Sequence, residues 1–176
     1  TTLTLTVVRD IEVRTLELTR RRFALENVRH ETLPEGIALV TVSRLTRHVA
    51  DRVRGILAGL GERPRVIIDL RDNSGGLFVE GLRLAELFVP KPQVLLRALR
   101  NPGKVANYVS DNPAPLAAEL IILVDAGSAS ASEAFAAALQ SHGLARLVGT
   151  TTFGKATLEE TFALANDWRV KFIVGA

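Results

Sequence analysis

Leu120-Ile121-Ile122-Leu123-Val124-Asp125-Ala126-Gly127-Ser128-Ala129-Ser130-Ala131-Ser132-Glu133 decides the fold. Its apolar start, without polar alternation, reads as a short strand buried on both faces. The run then breaks into Gly and Ser, and from Ala131 to about Gln140 the residues are alanine-rich and helical, stopped by Gly143. The same unit stands upstream. Val66-Ile67-Ile68-Asp69-Leu70 reads as a buried strand, Arg71-Asp72-Asn73-Ser74-Gly75-Gly76 as a turn, and residues 78–88 as a helix ended by Pro90 and Pro92. Before it, Ile37 to Val42 reads as a strand. Leu45, Val49, Val53, Ile56, Leu57 and Leu60 then recur at helical spacing, with Ser43 as N-cap and Gly61 as stop. Leu147-Val148 starts a further strand, and Thr150 to Lys155 is a loop. This alternation predicts an α/β domain with a mainly parallel sheet and flanking helices.

Small β elements flank that core. Residues 1–9 alternate Leu3, Leu5 and Val7 with Thr4 and Thr6, which predicts a half-buried strand. Residues 11–18 alternate again, as the second arm of a hairpin or a strand passing between two units. Residues 31–36 and 101–115 read as loops, and two strands around Asn166-Asp167 end the sequence.

Composition excludes several classes of function. At 47% hydrophobic and 23% charged residues, the chain can build a core and is not disordered. Its 22 basic residues are nearly matched by 19 acidic ones. The one run of like charge is Arg20-Arg21-Arg22; with aromatics at 5% and no recognisable module, no nucleic-acid partner is expected. The absence of cysteine removes disulfides, thiolate metal sites and a Cys nucleophile. With no methionine the chain reads as a trimmed piece. No segment approaches the ~18 apolar residues of a membrane span.

Ligands of open α/β sheets collect where strands end and helices begin. Two such junctions combine small residues with backbone that a ligand can approach: residues 70–76 and 125–133. Ser130 stands at a helix N-terminus, where unpaired amides can hold an oxyanion. Read alone, Ser128, Ser130 and Ser132 are better explained by capping and close packing, the common use of such residues. A serine nucleophile needs a base. His30, His48 and His142 lie away from the strand-end loops, so a Ser-His-Asp triad is unsupported. Lys155, after Thr152-Phe153-Gly154, is the one lysine in an apolar, glycine-marked setting. A desolvated lysine can act as a base, although on its own this loop lysine reads first as a solvated one.

The blocks taken in order resemble the carboxyl-terminal processing peptidases, also called tail-specific proteases. The resemblance rests on Asp69-Leu70-Arg71-Asp72-Asn73-Ser74-Gly75-Gly76, on Gly127-Ser128-Ala129-Ser130-Ala131-Ser132-Glu133, and on Val148-Gly149 with Thr152-Phe153-Gly154-Lys155. It covers roughly residues 11–175. It implies a ClpP/crotonase-like core over 11–176, preceded in 1–10 by the last strand of a PDZ-like domain. It implies a serine endopeptidase with Ser130 as nucleophile, Lys155 as base, and an oxyanion hole from the amides of Ala131 and Gly76 or Gly75. Glu159 matches a position that orients the lysine, commonly Gln in relatives; a carboxylate there favours the ammonium form and opposes a base. Glu133 matches a second polar position of the site. Ala156 departs from the glycine that relatives often carry. No cofactor or metal is implied. Substrates are proteins or peptides held by their C-terminal region, in the cell envelope, with membrane association and homo-oligomers left open. Two other classes stand beside this reading: a peptide-binding scaffold that has lost its chemistry, and a crotonase-like acyl-thioester enzyme using the same amides without Ser130.

Overall fold

The computed structural model describes residues 1–21, 26–100 and 102–176, so Arg22 of the arginine run lies outside the described residues. The chain starts with a hairpin of β1 (Thr2–Arg9) and β2 (Glu12–Thr19). Then follow β3 (Val28–Leu33), β4 (Ile37–Val42), α1 (Val49–Ala58), β5 (Arg65–Asp69) and α2 (Phe78–Glu86). A second hairpin, β6 (Val94–Arg100) and β7 (Lys104–Val109), leads to β8 (Glu119–Val124), α3 (Ala131–Ser141) and β9 (Ala145–Gly149). The hairpin β10 (Leu158–Ala163) and β11 (Arg169–Gly175) closes the chain.

The central sheet runs β3-β4-β5-β8-β9. β4, β5, β8 and β9 are parallel, and β3 joins antiparallel to β4. Val40, Ile68 and Ile122 are fully buried on it, under Val49 and Val53 of α1, Leu84 of α2, and Phe135 and Leu139 of α3. Removing that apolar surface from water is the main force holding helices to sheet. Because the four strands are parallel, their carboxyl ends lie at one end of the sheet, and the loops that follow them meet there.

Among the described residues, a mainly parallel sheet is found only in this central unit. The β1-β2 sheet and the β10-β11-β6-β7 sheet are antiparallel, so the chain as a whole is mixed α/β. The cause is local. Asp10, Gly103 and Asn166 take positive φ of 56°, 77° and 58°, making tight turns that join antiparallel strands, whereas parallel strands need long crossovers. Gly103 thus turns residues 101–115 partly into β7, and residues 31–33 belong to β3. The first strand is not half-buried: both arms of its hairpin are exposed throughout. The helix expected from Ser43 begins at Val49 instead. His48, at φ 71°, stands in the left-handed region before it, and Leu45 is drawn into a parallel bridge with Gly76.

Candidate active site

The loops after β4, β5, β8 and β9 are laced together by polar groups, two of which, Asn73 and Ser128, are buried. Asn73 is fully buried; its Nδ2 donates to the Val42 carbonyl (2.7 Å) and its Oδ1 accepts from the Gly75 amide (2.9 Å). The Asn73 carbonyl accepts from the Ala129 amide (3.0 Å), tying the β5 loop to the β8 loop. Asp125 repeats the tie from the other side. One carboxylate oxygen accepts from the amides of Asp72 (2.9 Å), Gly127 (3.0 Å) and Ser128 (3.1 Å). The Asp72 amide leads the effects that hold this carboxyl below its ordinary range, against the opposing pull of desolvation. Ser128 is structural: its hydroxyl donates to the Leu70 carbonyl (2.7 Å) and accepts from the Asp125 amide (3.0 Å).

Ser130 sits where this frame turns into α3. Its backbone is at φ 58°, ψ −117°, a conformation that is strained for any residue with a side chain. Such strain costs about 1–3 kcal/mol and persists only where surrounding bonds hold it, as at a nucleophile on a sharp strand-to-helix turn. The Ala131 amide is at the helix start and the Gly76 amide lies on the facing loop; among the described residues neither donates a hydrogen bond. The Gly75 amide is committed to Asn73, so of the two glycines expected to bind an oxyanion, Gly76 is the one with an unengaged donor. Gly75 has another task. A methyl group on it would stand 2.7 Å from the Ala129 carbonyl oxygen and 3.1 Å from the Ala131 nitrogen, and its φ is 92°. Gly75→Ala is expected to lower the melting temperature by about 2–8 °C, read by thermal denaturation, with any peptidase activity falling alongside.

Glu133 joins the serine turn to the lysine loop. Its Oε2 accepts from the amides of Ser130 (2.7 Å) and Lys155 (2.9 Å), and its Oε1 from the Gly154 amide (2.7 Å) and the Thr152 hydroxyl (2.7 Å). Partial burial pushes this carboxyl up, but those donors together hold it below its ordinary value. The Phe153 amide adds a bond to the Ser128 carbonyl (3.0 Å). The serine turn and the lysine loop are therefore both fixed to one carboxylate.

The Lys155 side chain enters a cleft of about 320 Å³ that Ser130 also lines, with Phe78, Leu96, Ala98, Ala134 and Leu158 as apolar walls. Its side chain is 35% exposed. Among the described residues no hydrogen bond joins Lys155 Nζ to Ser130 Oγ. Lys155 Nζ lies 3.1 Å from Glu159 Oε1, while Lys171 Nζ lies 2.9 Å from Glu159 Oε2. Lys171 first, then Lys155, keeps the Glu159 carboxyl below its ordinary range.

The residues expected at the site thus lie on converging loops (Gly75, Gly76, Ser130, Lys155), in the first turn of α3 (Ala131, Glu133) or on β10 (Glu159). Asn73, Asp125, Thr152 and Lys171 were not singled out from sequence. Asp125 carried the readable signal, an acidic residue at a strand end before Gly127-Ser128. Lys171 carried none, because its partner is set by the β10-β11 register. His48, just before α1, bonds Asp51 in its first turn, and His142 reaches the Val94 carbonyl; neither enters the site.

Residues 36–176 match Peptidase family S41. The chain is 33% identical over 157 residues to a carboxyl-terminal-processing protease of Picosynechococcus sp., covering 86% of the chain and 38% of that protein. It is 28% identical over 167 residues to a probable CtpA-like serine protease of Staphylococcus haemolyticus, covering 92% and 33%. The chain therefore spans little more than a third of the length of these relatives. In structure it is similar to a photosystem II D1 C-terminal processing protease, with TM-score 0.69 and 26% identity, over 93% of the chain and 46% of that protein. The match over 36–176, which takes in both strand-end junctions and the lysine loop, makes this chain a member of Peptidase family S41.

Proposed function

We propose that the chain carries a serine endopeptidase site in which Ser130 is the nucleophile and Lys155 the general base. One observation carries this reading: a serine on a strained strand-to-helix turn, flanked by the unengaged amides of Ala131 and Gly76, shares an apolar cleft with a lysine. Neutral Lys155 takes the Ser130 proton as Oγ attacks the scissile carbonyl. The Gly76 and Ala131 amides hold the oxyanion. The Lys155 ammonium returns its proton to the leaving amine, leaving an ester on Ser130. Lys155 then takes a proton from the water that attacks the ester, and returns that proton to Ser130 Oγ as the ester bond breaks and the acid leaves.

The substrate is an extended, apolar C-terminal segment of a protein. The apolar cleft walls suit its side chains and complete the desolvation of Lys155 when filled. Residues 1–10 read as the end of a PDZ-like domain and 11–176 as a ClpP/crotonase-like peptidase core, with β1 and β2 pairing across that boundary. The place of action is the cell envelope, as the resemblance implies; no described helix is long and apolar enough to cross a membrane.

Lys155→Met is expected to lower casein cleavage by at least about a hundredfold. Lys155→Arg fails as well, because a guanidinium does not deprotonate. Gel-based cleavage of unfolded casein reads both; a rate near wild type in either variant removes Lys155 as the base.

A further inference from the structure

Glu159 is shared between two lysines. Its Oε1 meets Lys155 Nζ at 3.1 Å and its Oε2 meets Lys171 Nζ at 2.9 Å. Glu159 lies on β10 and Lys171 on β11; Thr161 is opposite Lys171 and Ile173 opposite Glu159, so the pair is a cross-strand diagonal on one face. A lone carboxylate at that distance from a lysine favours the ammonium and works against a base. A carboxylate already neutralised by a second cation does so far less, while its free oxygen still accepts a hydrogen bond.

We propose that Lys171 is a positioning residue for Lys155: by engaging one oxygen of Glu159 it offsets that carboxylate's charge, so that Glu159 orients Lys155 without fixing it as an ammonium. The proposal rests on the reading of Lys155 as the base. The other charged groups around Lys155 are few. Glu133 of α3 is occupied by four donors, among them the Lys155 amide itself, and Arg97 of β6 also lines the cleft. Glu160, next along β10, is paired with Arg100. Lys171 is thus the one cation in direct contact with the carboxylate that Lys155 touches, among the described residues.

The chain has only Lys91, Lys104, Lys155 and Lys171, so isotope-labelled lysine Cε signals can be assigned by single substitutions and titrated one by one. In Lys171→Met the Lys155 midpoint should rise by about half to one pH unit. Added salt should shrink the difference, because Lys171 is largely exposed. In Glu159→Gln, adding Lys171→Met should change the midpoint little, since no carboxylate remains to neutralise. The acidic limb of kcat/KM should move to higher pH with the Lys155 midpoint in Lys171→Met. A Lys155 midpoint unmoved by Lys171→Met overturns the proposal. So does a moved midpoint with a stationary rate profile, because Lys171 would then tune a lysine that is not the base. Failure of the dyad itself is read separately: Ser130→Ala cleaving like wild type sinks the peptidase assignment, while the titration still reports whether the three side chains are coupled.

Discussion

Ser130→Ala should abolish cleavage, by at least about a thousandfold, while leaving the fold intact. The reason is chemical: no other hydroxyl occupies that turn with open amides beside it. Ser128 is bonded to Leu70 and buried, and Ser132 is buried without a partner among the described residues, inside the first turn of α3. Alanine keeps a Cβ, so the backbone strain at φ 58° is neither relieved nor increased, and the melting temperature should change by no more than a few degrees. Casein cleavage and thermal melting of the two proteins side by side measure both halves. Retained cleavage would remove Ser130 as nucleophile, and a collapsed melting transition would show that the serine holds the loop rather than performs chemistry.

Glu133→Ala should damage stability and activity together. It strips the acceptor from the Ser130, Gly154 and Lys155 amides and the Thr152 hydroxyl at once. At about 0.5–1.5 kcal/mol for each bond, partly replaced by water, the loss is about 2–3 kcal/mol. That corresponds to a fall of about 4–12 °C in melting temperature for a domain of this size. With the serine turn and the lysine loop no longer held to one group, misplacement of about 1 Å should cost about a hundredfold in rate. The pH dependence has a definite sign. The folded Glu133 carboxyl titrates below its ordinary value of 4.5, so its contribution is fully present above that pH and drains as the pH falls through the lowered folded value. The stability gap between wild type and Glu133→Ala should therefore narrow as the medium is acidified below 4.5. A gap that stays constant with pH would show that Glu133 acts by packing and not as a carboxylate.

Much of this arrangement was legible in the sequence, and the illegible parts share a cause. The apolar runs at 66–70 and 120–124 place two parallel strands, and the small-residue turns after them place Gly75-Gly76 and Ser130-Ala131 at the same end of the sheet. Those signals are local: strand burial and turn chemistry are written in a few consecutive residues. Asn73 looked like one more turn residue. Its role depends on the Val42 carbonyl, 31 positions earlier and brought close only by the pairing of β4 with β5. Glu159 was foreseen beside Lys155, yet the lysine that shares it lies 12 positions further on, across a hairpin whose register no short pattern fixes. The helix start at Val49 was misread for a similar reason. Leu45 fits the helical spacing, but the Gly75 carbonyl and the Leu77 amide capture its backbone in a bridge to the β5 loop.

The dyad predicts a covalent intermediate at one named atom. Wild-type protein quenched during turnover of an activated peptide ester should gain the mass of the acyl group, and peptide mapping should place it on Ser130 Oγ. The adduct should be absent in Ser130→Ala, and Lys155→Met should form it far more slowly. An adduct on another residue, or wild-type and Ser130→Ala proteins labelled alike, would contradict a Ser130–Lys155 mechanism.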